Sequence, residues 1–279
     1  VASLRDMAPF SVSLMLTDLI STFYMKLPQF FLGKLYPTAT LGAFDQAVKL
    51  KDMPVTAATQ SVQSVTFPAL SEVRGDAPKF AESYRQVVLI TAYVMFPAML
   101  GLSAVAHDLF ALLLSEKWMP TVPYFEVVCL AGLFYPVGMI CYNVLKVMSR
   151  GPLIVRLEVV KKLLMTVVFA VTIPHSVMAV VWGLVVIAFG EMAVNFLATR
   201  RFTRFTTRRF LRTLLPVALV SGTMYLLVRL TACAVPGHLL LRLAAQLLVG
   251  AAAYVGLSVL FRLEAFGLLC DLMKKQAAR

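Results

Sequence analysis

Six stretches of the chain are long apolar runs, at about 84–114, 122–148, 153–173, 176–199, 213–231 and 238–261. A helix needs about 20 residues to cross the hydrocarbon core, where every backbone group must be bonded within the protein. Each of the six runs meets that length. Two earlier stretches, about 7–32 and 41–70, are long enough but carry polar residues at helical spacing. Glycine and proline mark the short connections, at Gly33, Pro37, Pro120, Pro123, Gly151, Pro152, Pro174, Pro236 and Gly237. The pattern predicts an all-α integral membrane protein, a bundle of about eight transmembrane helices with both ends of the chain on one side.

Composition narrows the class. Apolar residues make up 60% of the chain and charged residues 14%, with a mean hydropathy of +0.83. Soluble domains carry roughly 45–50% and about 25%, so a soluble globule and a disordered chain are both excluded. The net charge of +12 does not call for nucleic acid, because the basic residues fall in short blocks between apolar runs rather than on one wet surface. Cytoplasmic loops of membrane proteins accumulate Lys and Arg. With Val1 on the cytoplasmic side, seventeen of the 26 basic residues lie in inside segments, four (Lys34, Lys117, Arg229, Arg242) lie outside, and five fall within spans. That asymmetry sets the expected orientation. The block RRFTRFTTRRFLR at 200–212 is read as a juxtamembrane run lying on anionic headgroups. Cys129, Cys141, Cys233 and Cys270 show no C-x-x-C spacing, and no metal, cofactor or disulfide framework is expected. The chain opens on Val1, with no signal peptide ahead of the first apolar run, and reads as the C-terminal portion of a longer protein.

The two polar spans carry the candidate chemistry. Advancing about 100° per residue from Asp45 places Lys49, Asp52, Thr56, Thr59, Gln60 and Gln63 within about 60° of it. Val48, Val55, Val62 and Leu70 lie largely elsewhere, and Lys51 stands apart on the far side. In the first span Ser11, Asp18, Thr22 and Gln29 share one side, with Lys26 at its margin. Pro28 and Pro54 are expected to bend the two helices. An ionised side chain at mid-membrane costs about 2.5–3.5 kcal/mol on insertion scales. Spacings of four and three residues let Lys49 pair with Asp45 and Asp52, which lowers that cost without removing it. The stripe therefore faces water, other polar helices or a charged ligand; a buried salt-bridge staple is the competing reading. The uncharged continuation through Thr56, Gln60 and Gln63 favours a wet cavity. Glu191 and Asn195, four apart in the sixth span, either bond a neighbouring helix or form a proton or cation site. Glu126, Lys161 and Lys162 lie near span ends, where snorkelling is the default. Trp118, Trp182 and the tyrosines, Tyr135 and Tyr142 among them, are expected as interfacial anchors or packing residues.

The stretch from 96 to 162 resembles the polysaccharide exporters of the multidrug/oligosaccharidyl-lipid/polysaccharide flippase superfamily, which include the Wzx-type O-antigen and colanic-acid translocases. Its carriers are EKW-x-P (Glu116, Lys117, Trp118, Pro120), CLAGL-x-YP at 129–136, NVLK at 143–146 and LE-x-x-KK at 157–162. SVQSVTFPALSEV at 61–73 adds to them. The likeness covers about residues 1–200 and is hydropathic only after 213. It implies a C-terminal six-helix lobe at 1–200, a basic cytoplasmic linker at 201–212, two additional transmembrane helices at 213–262 and a cytoplasmic tail at 263–279. Many relatives carry Asn-Arg where this sequence has Asp45 and Gln46, so Lys49 is the candidate positive charge.

What the resemblance implies is translocation of a polyprenyl-diphosphate-linked oligosaccharide across the bacterial cytoplasmic (inner) membrane by alternating access around a midplane site. Lys49, with Lys26 and Lys51, would meet the diphosphate; Thr22, Thr56, Gln60 and Gln63 would meet sugar hydroxyls. Asp18, Asp45, Asp52 and Glu191 would form the charge network or carry a coupling ion. The expected partners are the lipid-linked oligosaccharide, membrane lipids and other polysaccharide-assembly proteins. A multidrug or cation exporter on the same fold is the nearest rival. A membrane enzyme and a non-transporting scaffold of polysaccharide assembly are more distant, since the sequence offers no nucleophile–base arrangement, metal cluster or phosphate-binding glycine loop.

Overall fold

Local chemistry sets where several helices start. In a computed structural model, residues 22, 24, 26–114, 116–148, 151–234 and 238–269 are described. A first helical stretch, α1, covers 26–35 and is followed by α2 (Thr38–Glu72), α3 (Ala77–Leu113), a 3₁₀ turn at Glu116–Thr121, α4 (Val122–Val147), α5 (Gly151–Thr172), α6 (Val177–Thr199), α7 (Thr207–Ala234) and α8 (Leu239–Leu260). Asp76 caps α3 by accepting the Lys79 amide at 3.1 Å, with a proline in the first turn. That amide, together with the Lys79 side chain, holds the Asp76 carboxyl below its ordinary value. Ser176 caps α6 the same way through the Ala179 amide at 3.0 Å. At the end of α8, Arg262 takes φ 46°, and the amide of Leu263 reaches back to the Ser258 carbonyl at 2.9 Å. This left-handed closure turns the chain inward, so that Ala265 is fully buried.

Every expected span corresponds to a helix where the residues are described, with two differences in extent. Helix α3 starts at Ala77 rather than near 84, and α7 starts at Thr207 rather than 213, so Arg208, Arg209 and Arg212 lie on the helix. Helix α2 continues through Pro54 and Pro68; the neighbouring turns carry the helix past each missing amide.

Five of the six apolar runs form helices long and apolar enough to cross a membrane, those containing α3, α4, α6, α7 and α8. Helix α5 does not qualify, because each of its 18-residue stretches includes Glu158, Lys161 and Lys162. Glu158 and Lys161 pair with each other, and Lys162 lies over the Tyr24 ring.

Helix α4 is the hub. It packs against α2, α3 and α6, while α5 leans on α6, and α7 and α8 pack together against α3. Small residues permit the closest approach. A Cβ on Gly138 of α4 would stand 3.2 Å from the Met192 Cα of α6, and one helical turn on, Asn195 Nδ2 donates to the Gly138 carbonyl at 3.2 Å. That bond realises the helix–helix reading of Asn195. Tyr84 links α3 to both α4 and α6: its hydroxyl donates to Cys141 Sγ at 3.0 Å and lies 3.2 Å from Thr199 Oγ1.

The helices α7 and α8 are bound to the lobe by polar contacts as well as by packing. Tyr93 of α3 donates to Ser258 Oγ at 2.9 Å, and Tyr254 donates to the Tyr93 carbonyl at 2.7 Å. At one end of the bundle Arg85 engages Glu82 and Glu264, and Arg209 also engages Glu82. At the opposite end Arg229 pairs with Glu126 and Arg242 with Asp108. The two sets of ends match the two sides into which the basic residues divide along the sequence.

The candidate site: an exposed polar stripe on α2

Helix α2 buries its apolar face against α4 and α3. Phe44, Ala47, Val55 and Leu70 are each at most 3% exposed. That choice leaves the opposite side outward: Lys49, Thr56 and Gln60 are exposed, and Asp45, Asp52 and Gln63 half-buried. Thr59 departs from the expected stripe. It is buried, and its hydroxyl donates to the Val55 carbonyl at 2.7 Å, which satisfies it inside its own helix.

The pairing within the stripe also differs from expectation. Lys49 pairs with neither Asp45 nor Asp52. Asp52 is held by Lys51, whose flexible stem lets it fold back onto the adjacent residue despite starting on the far side of the helix. Asp45 takes a hydrogen bond from the Gln29 side chain, and the charge of Lys26 acts on it. The polar sides of α1 and α2 thus meet at Asp45, while its Oδ1 remains buried without a partner. Lys26 and Thr22 are exposed. Asp18 and Ser11 lie outside the described residues. Among the described residues Lys49 forms no ion pair, and it is the cation of the stripe that is left to the surroundings.

Residues from three further helices extend this face. Tyr135 on α4, 42% exposed, lies where the charges of both Asp52 and Glu191 reach its hydroxyl. Glu191 on α6 has Lys161, Lys162 and Glu158 of α5 as its charged surroundings. Lys161 is buried and paired with Glu158. Its ammonium also lies 5.1 Å from the ring centre of Tyr142, over which Lys146 sits at 4.6 Å. Lys162 stands 5.6 Å from the ring of Tyr24. A band of alternating charge and aromatic surface therefore crosses α2, α4, α6 and α5.

Snorkelling explains neither Glu126 nor Lys161, since each has a named partner on another residue. Sequence reasoning did not place Tyr135 and Tyr142 in this band. The available signal was two aromatics seven residues apart, two helical turns, in an otherwise apolar span. Among the described residues no group of three His, Cys, Asp or Glu could hold a metal ion.

Residues 1–123 match a family model described as polysaccharide biosynthesis protein. Three curated proteins are similar. An uncharacterised membrane protein in the cps region of Klebsiella pneumoniae is 27% identical over 175 residues, 61% of this chain and 34% of that one. The lipopolysaccharide biosynthesis protein WzxC of Escherichia coli is 25% identical over 139 residues, 49% and 28% of the two chains. The teichuronic acid biosynthesis protein TuaB of Bacillus subtilis is 22% identical over 130 residues, 47% and 27%. The chain thus spans about a third or less of the length of the curated relatives it matches. Among solved structures, the lipid II flippase MurJ in an inward closed conformation superimposes with a TM-score of 0.72 at 15% identity, over 93% of this chain and 54% of that one. Residues 1–123 are thus similar in sequence to polysaccharide biosynthesis proteins, and nearly all of the chain shares the fold of the lipid II flippase MurJ, that of a multi-pass, all-helical membrane protein.

Proposed function

We propose that this chain forms one lobe, with two accessory helices, of a transporter that moves polyprenyl-diphosphate-linked oligosaccharide between leaflets of the bacterial inner membrane. One observation carries the reading: Lys49 stands exposed and, among the described residues, without an ion pair, beside two carboxylates engaged by Lys51 and by Gln29 with Lys26. A cation at that depth needs an anionic partner or water, since facing hydrocarbon it costs several kcal/mol. The diphosphate supplies the anion, and in surroundings less polarisable than water the attraction is several-fold stronger. Thr56, Gln60 and Gln63 continue the face with hydroxyl and amide groups suited to sugar hydroxyls. Lys26, Lys51 and Thr22 border the same face. The prenyl tail stays in lipid while the head crosses a passage whose other wall is a second lobe, and the lobes rock about the stripe. Asp18, Asp45, Asp52 and Glu191 are the groups available to carry a coupling ion. Residues 1–200 form the lobe. The charge distribution supports a cytoplasmic location for both ends of this chain. The activity is transport rather than catalysis.

Lys49→Ala in the full-length protein tests this. Losing a charge-assisted contact costs about 1.5–3 kcal/mol, so export of surface polysaccharide should fall roughly tenfold or more, with lipid-linked oligosaccharide accumulating on the cytoplasmic leaflet. Undiminished export removes Lys49 from the diphosphate site.

A second reading, a multidrug or cation exporter, has one observation in its favour. The charges of Asp52 and Glu191 both act on Tyr135, and an aromatic ring with two carboxylates suits a cation better than a phosphate. Its signature is accumulation of a cationic drug, and not of the lipid-linked sugar, in cells lacking the protein.

A further inference from the structure

Where α3, α7 and the chain beyond α8 meet, they line a cavity of about 410 Å³. Arg85, Arg209, Arg212 and Glu264 contribute its charged groups, and Leu89 and Pro216 belong to its apolar wall. From Arg209 to Pro216 is about two turns, so charge gives way to hydrocarbon over about 10 Å along α7. Glu264 and Glu82 are already committed to Arg85, and Glu82 also to Arg209 at 2.8 Å. Among the described residues Arg212 engages no carboxylate. Three guanidiniums against one carboxylate leave the lining positive. Pro216 adds a second feature. It has no N–H, so the Arg212 carbonyl four residues earlier loses its helical donor and needs one from elsewhere.

We propose that this cavity is a discrete site for an anionic phospholipid with a hydroxylated headgroup, such as phosphatidylglycerol. The phosphate lies against Arg212 and Arg209, a headgroup hydroxyl meets the freed carbonyl, and the first acyl carbons follow Leu89 and Pro216. Guanidinium suits phosphate because its fork matches two oxygens at once, and basic pockets between transmembrane helices bind such headgroups. Of the six arginines in the 200–212 block only Arg209 and Arg212 line the cavity, which separates a built site from a generally basic face. The site does not depend on what the transporter carries. Its occupant would brace α7 against α3 where the Glu82–Arg85–Glu264 pairs already hold them.

The test uses the purified full-length protein in phosphatidylcholine nanodiscs, with and without phosphatidylglycerol. Phosphatidylglycerol should raise Tm by about 5 °C, the effect of a ligand well above its Kd on a protein of this size. R212Q should lose most of that rise and R212K part of it, since a lysine keeps the charge but not the fork; R208Q, outside the cavity, should keep it. Millimolar inorganic phosphate should leave Tm unchanged. Native mass spectrometry of protein released from mixed-lipid nanodiscs gives a readout independent of stability: one phosphatidylglycerol retained by the parent and R208Q, and none by R212Q. An equal rise or equal retention in R212Q and the parent overturns the proposal. So does an equal loss in R208Q and R212Q, which marks a diffuse basic face. A rise reproduced by phosphate alone assigns the site to a free anion instead.

Discussion

Asp108 is only 3% exposed, and Arg242 reaches its carboxylate from α8 with two nitrogens, Nε at 2.7 Å from Oδ2 and Nη2 on Oδ1. His107 Nδ1 lies 3.2 Å from the same carboxylate. The two halves of this pair are not equivalent, because the Arg242 side chain keeps about a quarter of its surface in solvent. Arg242→Ala strands a buried carboxylate and should cost about 3–5 kcal/mol. Asp108→Ala frees a guanidinium that can turn to water, and should cost about 1–2 kcal/mol. Unfolding of both variants in one detergent measures the asymmetry; equal losses would show that burial of the carboxylate is not what decides it. The same scale explains the pairing in the stripe. Helical spacing marks Lys49 as a partner for Asp45 and Asp52, yet a lysine stem is long enough for Lys51 to take Asp52 from the next position.

Among elements, the α4–α6 contact is sensitive to side-chain size because backbone rather than a flexible side chain faces Gly138. A valine at 138 would press against Met192 backbone and displace Asn195 from the Gly138 carbonyl. Gly138→Val should destabilise by about 1–3 kcal/mol through overpacking alone. Gly222→Ala on α7 is the control: nothing stands within 4 Å of the added Cβ, so it should be neutral or gain up to about 1 kcal/mol from the stiffer unfolded chain. Equal losses at the two sites would mean that helix conformation, and not helix approach, is being measured.

For the whole molecule the decisive property is whether the α2 stripe meets water. Single cysteines at 56, 60 and 63, with Cys233 and Cys270 replaced by serine, should react with a membrane-impermeant maleimide in the full-length protein. Cys129 and Cys141 are buried and should stay silent. Reaction should be fastest at 56 and 60, which are exposed, and slower at half-buried 63. Three inert thiols would place the stripe in dry protein, and the translocation reading would fail with it.

Helix existence, the polar stripe and the grouping of basic ends were legible along the chain because each follows from local spacing: 3.6 residues per turn, the span of a bilayer and the sorting of charge between its sides. The family resemblance was legible too, in short runs such as CLAGL-x-YP. Charge partners were not. Glu126 with Arg229, Asp108 with Arg242 and Arg85 with Glu264 join positions more than 100 residues apart, and no periodicity encodes which helix lies beside which. Tertiary packing also decided that Thr59 leaves the stripe, that Tyr135 joins it, and that Lys161 can lie buried on α5 because Glu158 and Tyr142 are within its reach. Spacing fixes which side of a helix is polar. Only the neighbouring helices determine what that side meets.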